Sequence, residues 1–391
     1  MYFYKYLTAN SLSISMLRHG EVFFASPQEL NDIHECKPQF IFSANLEVWS
    51  RFIDDTLSHV CMKLNFKPQS ELPKRILSLK NELLHLLTGN KKSKTLDYES
   101  LLRELTNGFG KYIFEKLDFL DALNAVRALE SYLQNDLDKK IKNSYYMTSF
   151  SKSATNLTMW GHYGNAEKGF VIVYESKDGN VSIESDIDKF PSIKKSNEGA
   201  YVVGTSKKSS AQLIEVVYKN KPVRANGFRE LIPKLYYTDQ ESDYDYAEDL
   251  LASIPKYNED EIGRVKFTDW KYEKELRLHL PVYEELDSPF RSIKICPHHI
   301  KGVILGSRIS TNDKNNILAA CYYLKKSQNI KEDIFVFQSN NTHGQYKINV
   351  NALGKVCDLH FDKSTYLVGI NKNDHLAREE IEHITNAINM S

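Results

Sequence analysis

The sequence predicts an α+β fold: a mixed or antiparallel sheet core interrupted by a large all-helical insertion. Three observations carry this. Short alternating or continuously apolar runs of strand length occur on both sides of the middle of the chain, among them Tyr2–Leu7 and Gly169–Glu175. From about 45 to 142 the texture changes to the i, i+3, i+4 spacing of amphipathic helices. The chain also carries 23 Tyr and 19 Phe, residues that suit pleated surfaces and ring-stacking pockets.

Taken in order, residues 2–7 alternate aromatic and polar as a strand. Asn10 or Ser11 caps a helix through Leu17 that stops at Gly20, and Glu21–Ser26 is a strand stopped by Pro27. A polar loop follows, Leu30-Asn31-Asp32-Ile33-His34-Glu35. Trp49, Phe52, Ile53, Leu57 and Val60 form one helical stripe; Ile76, Leu79, Leu83 and Leu87 another; Val126, Leu129, Leu133 and Leu137 a third. The polar stretch Thr88–Lys94 separates helices within this block. Strands return at Tyr145–Ser151, Gly169–Glu175 and Leu213–Tyr218, with a short helix over 157–164. Residues 226–262 read as helical and acidic, with 241–246 a solvated face. Trp270–Leu278 is a period-two strand; 292–295, 302–306, 334–337 and 346–350 are further strands, with a helix capped near Thr311 or Asn312 and a last one over 375–389. The expected division is a core of 1–44 and 143–350, an insertion of 45–142, and an extension of 351–391.

Composition excludes several classes. Lys plus Arg equals Asp plus Glu at 51 each, so no bulk field marks the chain for nucleic acid or a membrane surface. The five cysteines are odd in number, widely spaced and without a CxxC pair, which argues against a disulfide framework and a structural zinc site. The N-terminal residues lack the pattern of a signal peptide, and no apolar run reaches the roughly 18 residues of a membrane span. The expectation is a cytoplasmic protein with no membrane partner and no metal.

The chemistry concentrates in the Trp270–Leu278 stretch. Period two puts Glu273, Glu275 and Arg277 on one face, about 6.5–7 Å between successive side chains. Mutual repulsion would raise one carboxylate's pKa while Arg277 holds the other ionised. Asn31, Asp32, His34 and Glu35 offer an alternative, a metal-dependent nuclease site. His298-His299 reads as solvent-facing, and Gly302-x-x-x-Gly306 lacks the remaining signature of a phosphate loop.

Four stretches in sequence order point further: Tyr4-Lys5-Tyr6 with the strand to Ser26-Pro27; Asn31-Asp32 with Glu35; Ser149-Phe150-Ser151 with Met159-Trp160-x-x-Tyr163 and Gly169-Phe170; and Tyr272-Glu273-Lys274-Glu275-Leu276-Arg277. Over about 1–36 and 145–340 this order and spacing resembles the bacterial family known only as domain of unknown function family 2971. The arrangement is in turn similar to the mono-ADP-ribosyltransferase plan, and that resemblance implies the following roles. NAD is the substrate. Tyr4, Lys5 and Tyr6 lie along it, with Lys5 at its ribose or phosphate; Ser149 and Ser151 brace the pocket; Phe150, Trp160 or Tyr163 stacks on nicotinamide; Arg277 completes the binding set. Glu275 is the catalytic carboxylate and Glu273 activates the acceptor, a protein or nucleic acid. The implied function is an NAD-dependent mono-ADP-ribosyltransferase or NAD glycohydrolase, a toxin or anti-phage defence effector. The alternative class is a non-enzymatic antitoxin or sensor that meets a protein partner through 45–142. The enzyme reading requires the strands of Tyr4–Tyr6, Ser149–Ser151 and Glu273–Arg277 to share one sheet.

Overall fold

The strand Tyr2–Leu7 is the axis of the main sheet, paired on one side with Met147–Ser151 and on the other with Phe170–Glu175. The computed structural model describes residues 1–64, 70–89, 95–141, 146–195, 201–236, 242–282, 286–342, 344–357 and 367–391. Lys91–Lys94, Lys142, Tyr145 and the side chains of the 241–246 acidic run lie outside the described residues. The fold is mixed α and β, with several sheets.

The described chain falls into two compact units. The first holds Met1–Glu35, Ser144–Asn220 and Arg264–Ser391. Its main sheet has nine strands among the described residues, in the order Ile214–Glu215, Glu275–His279, Met147–Ser151, Tyr2–Leu7, Phe170–Glu175, Ile300–Leu305, Phe335–Asn341, Ile348–Val356 and Leu367–Val368. Neighbours are antiparallel except Ile300–Leu305 and Phe335–Asn341, which are parallel and are joined through the helix Thr311–Ser327.

Period two explains how the sheet divides its side chains between two cores. Phe3 faces one way, stacked on Tyr174 at 5.2 Å and edge-on to Phe150 at 5.0 Å, in a core with Leu17, Ile317 and Leu324. Tyr4 and Tyr6 face the other way, with Val171, Val173, Ile304 and Trp160, under Ile381, Ile384 and Ile388 of the final helix. The residues expected as an appended extension are therefore part of this unit: Ile348–Val356 runs through residue 350, and the helix His375–Met390 covers one face of the sheet.

Local signals hold where the cap chemistry is complete. The helix Ser11–His19 starts on the Asn10 side chain, which accepts from Ser13 N, and ends at Gly20 with φ 69°, a left-handed position that glycine takes without penalty. Elsewhere the structure departs from expectation. Glu21–Phe23 is the only regular part of the 21–26 strand, and 213–218 splits into Ile214–Glu215 and Val217–Lys219, which pair with different partners. Antiparallel pairs of Asn180–Glu184 with Lys208–Gln212, and of Phe190–Lys195 with Tyr201–Ser206, were not expected. His299 is buried, its Nδ1 2.7 Å from Glu175 O and its Nε2 accepting from Ser182 N at 3.0 Å.

The second unit holds Cys36–Asn143 and Lys221–Gly263, so it takes in a stretch that the sequence leaves in the core. Arg224–Asn226 pairs parallel with Gln39–Phe42, and Phe228, Leu231, Leu250 and Ile254 pack with Trp49, Phe52, Leu57 and Leu129 of the predicted stripes. Phe228 is the hinge of that packing, edge-on to Trp49 at 4.7 Å and to Phe42 at 5.2 Å.

Candidate functional site

The largest correction concerns the stretch that organises the site. Trp270–Leu278 is not one strand: Thr268–Glu273 is a 3₁₀ turn, Lys274 is left-handed at φ 45°, and the strand begins only at Glu275. Glu273 and Glu275 thus come together through a turn rather than through strand alternation. The turn is pinned from the neighbouring strand, since Ser151 Oγ donates to Glu273 O at 2.7 Å and Lys152 N donates to Lys274 O at 2.9 Å.

Register then aligns the site. Tyr4 lies opposite Ser151, and Ser151 opposite Glu275, so one residue from each of three adjacent strands forms a row across the sheet. Ser149 lies opposite Arg277 on the same face. A cleft of about 180 Å³ opens over this row, lined by Tyr4, Lys5, Tyr6, Asn31, Ser149, Phe150, Ser151, Met159, Tyr163, Lys266, Glu273 and Glu275. Nine of the eleven residues predicted for the site line it.

The other two do not. Trp160 is wholly buried, its Nε1 donating to Ala154 O at 2.8 Å and its ring edge-on to Tyr6 at 5.4 Å, so it is a core support rather than a stacking surface. Arg277 is also fully buried and sits behind Glu275. Its Nε donates to Glu275 Oε1 at 2.7 Å and its Nη2 to Glu275 Oε2 at 3.0 Å, a two-point clamp between residues i and i+2. The guanidinium also pairs with Glu35. Burial pulls Arg277 down, opposed by Asp32, but a guanidinium keeps its charge at neutral pH.

Lys266 is the residue that the sequence did not single out. It lies in the three-residue strand Val265–Phe267, with its side chain 4% exposed. Its Nζ is 2.7 Å from Glu273 Oε2, 3.2 Å from Glu275 Oε2 and 3.6 Å from Glu35 Oε2. Burial alone would lower the Lys266 ammonium; Glu275 and Glu273 together outweigh it and raise it. Two cations, Lys266 and Arg277, thus face three buried carboxylates. Burial pushes the Glu275 carboxyl up to about 7, against the pull of Lys266 and the Ser149 hydroxyl and with a smaller push from Glu273. Burial rather than repulsion leads that shift, and Arg277 clamps the carboxylate that is raised, not its partner.

On the open side, Tyr163 OH donates to Glu273 Oε1 at 2.6 Å and accepts from Asn31 Nδ2 at 2.5 Å. Burial and the adjoining Glu273 raise the Tyr163 phenol. Lys5 stands apart from the carboxylates, donating to Thr148 Oγ1 at 2.7 Å and Ser149 O at 2.9 Å. Asp32, His34 and Glu35 do not converge: Asp32 Oδ1 accepts from His34 N, His34 is exposed, and Glu35 turns to Lys266 and Arg277. Among the described residues no group of three or more His, Cys, Asp or Glu is arranged to hold a metal ion, and no helix is long and apolar enough to cross a membrane.

No curated protein and no solved structure matches the chain. The model of a family of proteins of unknown function (DUF2971) matches residues 159–278, from the Met159-Trp160 helix through Glu273, Glu275 and Arg277.

Proposed function

We propose that the cleft holds the nicotinamide–ribose end of NAD and cleaves the bond between them, passing ADP-ribose to an acceptor or to water. The observation that carries this reading is the row Tyr4–Ser151–Glu275 across three adjacent strands, with Glu273 turned into the same cleft. The order of these residues is the one expected of an ADP-ribosyl-transferring enzyme. At about 180 Å³ the cleft suits the reacting end alone, with the rest of the dinucleotide beyond it.

In the reaction, the C1′–N bond breaks and its electron pair goes to the nicotinamide ring nitrogen. The ribose is left with oxocarbenium character, which a nearby carboxylate stabilises. The acceptor oxygen then bonds to C1′ and gives up its proton to a carboxylate or to water. Glu273 is the better placed of the two for the charged ribose. Its oxygens hold one donor each, Tyr163 and Lys266, whereas Glu275 is clamped by Arg277 and touched by Lys266. Glu275 then acts as a positioning residue that fixes Lys266. The test is free nicotinamide from NAD with two variants compared. Glu273→Gln should lower release on the order of 10²-fold, the usual effect of losing one positioned charge. Glu275→Gln should cost less; equal rates for both variants and wild type would remove the carboxylates from the chemistry.

A further inference from the structure

Beside the main sheet lies a four-stranded one, in the order Lys208–Gln212, Asn180–Glu184, Ser292–Ile295 and Glu21–Phe23. The chain crosses from it to the main sheet through the turn Pro297–His299, between Ser292–Ile295 and Ile300–Leu305. At this crossing the buried His299 bonds to both sheets. Its Nε2 accepts from Ser182 N at 3.0 Å, and its Nδ1 lies 2.7 Å from Glu175 O at the end of Phe170–Glu175. Ser182 O accepts from Cys296 N at 2.9 Å, so the imidazole stands where a main-chain carbonyl would be the next acceptor of that ladder.

These partners fix the state of the ring. A backbone N–H can only donate and a backbone carbonyl can only accept, so Nδ1 carries the hydrogen and Nε2 the lone pair. Both nitrogens are used, and the imidazole is neutral. A proton on Nε2 would face the Ser182 N–H, donor against donor, and would strand a buried backbone donor. Charged and titratable groups surround the ring. His298, exposed on the same turn, has its ring centroid 4.0 Å away. Glu175 and Asp178 come from the end of Phe170–Glu175 and the segment after it, and Lys301 on the next strand is 3.4 Å from the Glu175 carboxylate. Glu184 and Lys208 face Cys296, at the start of the turn. Burial lowers the His299 imidazole and His298 adds to it; the bond to the Glu175 carbonyl, then Asp178 and the Glu175 carboxylate, oppose without reversing it.

We propose that His299 is an acid-released staple between the two sheets. This goes beyond the NAD reading and does not depend on it. A solvent proton binds the Nε2 lone pair, the Ser182 N–H turns to water, and Nδ1–H keeps Glu175 O. Asn180–Glu184 then loosens from the turn while the main sheet stays closed. The staple's contribution is full above 6.5, the ordinary value that the opened ring regains, and is lost as pH falls through the lower value of the closed ring. The same four-stranded sheet holds Glu21–Phe23, from which the chain runs on to Asn31 of the cleft.

The experiment is hydrogen exchange of the full chain, read by peptide mass spectrometry at pH 7.5 and pH 5, with protection corrected for intrinsic exchange at each pH. Protonation of the opened ring multiplies the open population at pH 5 by up to about 30-fold. Protection over 180–184 should fall on that scale, with a one-proton midpoint below 6.5, while Tyr2–Leu7 keeps its protection. His299→Gln, which takes no proton in this range, should abolish the fall, and His298→Gln should keep it. Protection over 180–184 that is the same at both pH values, or that falls equally in His299→Gln, overturns the proposal. If His299→Gln does not fold, the wild type and His298→Gln decide: a one-proton fall confined to 180–184 in both supports the staple, and a fall shared by Tyr2–Leu7 or lost in His298→Gln overturns it.

Discussion

Replacing Lys266 by Met tests whether the charge cluster is a balanced unit. The change keeps a long apolar stem but removes the ammonium that lies within 3.6 Å of three carboxylates. Arg277 is then left alone against Glu35, Glu273 and Glu275, all buried. Removing one partner of a buried ion pair leaves an uncompensated charge and costs about 3–5 kcal/mol. In a unit of this size each kcal/mol is worth about 2–4 °C in Tm, so calorimetry at pH 7 should show a fall on the order of 10 °C. Lowering the pH to 5 protonates Glu275, whose carboxyl burial raises to about 7, and the gap to wild type should narrow. A variant that melts within about 2 °C of wild type at pH 7, or whose deficit widens at pH 5, would refute this account of the cluster.

Three further outcomes follow from the structure. The Glu275 carboxyl is raised from 4.5 to about 7 by burial, so the folded state binds more protons than the unfolded between those values. Its contribution is full below 4.5 and lost as pH rises through 7; Glu275→Gln should gain on wild type between pH 5 and pH 8 by a few kcal/mol, read from denaturant midpoints, and a constant difference would contradict the shift. Gly306→Ala would place a Cβ 2.2 Å from Glu167 O and should lower Tm, whereas Ala166→Gly relieves a left-handed residue at φ 51° and should be neutral or raise it by up to about 1 kcal/mol in stability.

What the sequence made legible is local, or is set by period. The Asn10 cap and the Gly20 stop follow from side-chain chemistry within one helix, and the row of Tyr4, Ser151 and Glu275 follows from three strands whose faces alternate. Lys266 stayed hidden because Val-Lys-Phe over 265–267 carries no motif; its role exists only once that strand lies beside Val217–Lys219 and the turn brings Glu273 back to it. The turn itself gave no signal, because its left-handed residue is Lys274 and not glycine or asparagine. Trp160 was misread because an aromatic beside Tyr163 looks the same in sequence whether its indole N–H meets a ligand or, as here, Ala154 O. The assignment of 221–263 to the helical unit rests on a parallel pairing of Arg224 with Gln39, a separation that leaves no trace in local periodicity.

The most direct measurement is a single-turnover reaction: the wild-type protein in excess over NAD, followed by chromatography of the products. The NAD reading predicts free nicotinamide in step with NAD loss, together with ADP-ribose or an ADP-ribosylated acceptor, and a loss of that release in Glu273→Gln. NAD recovered intact from a folded protein, with nicotinamide no higher than in the protein-free control, would contradict it.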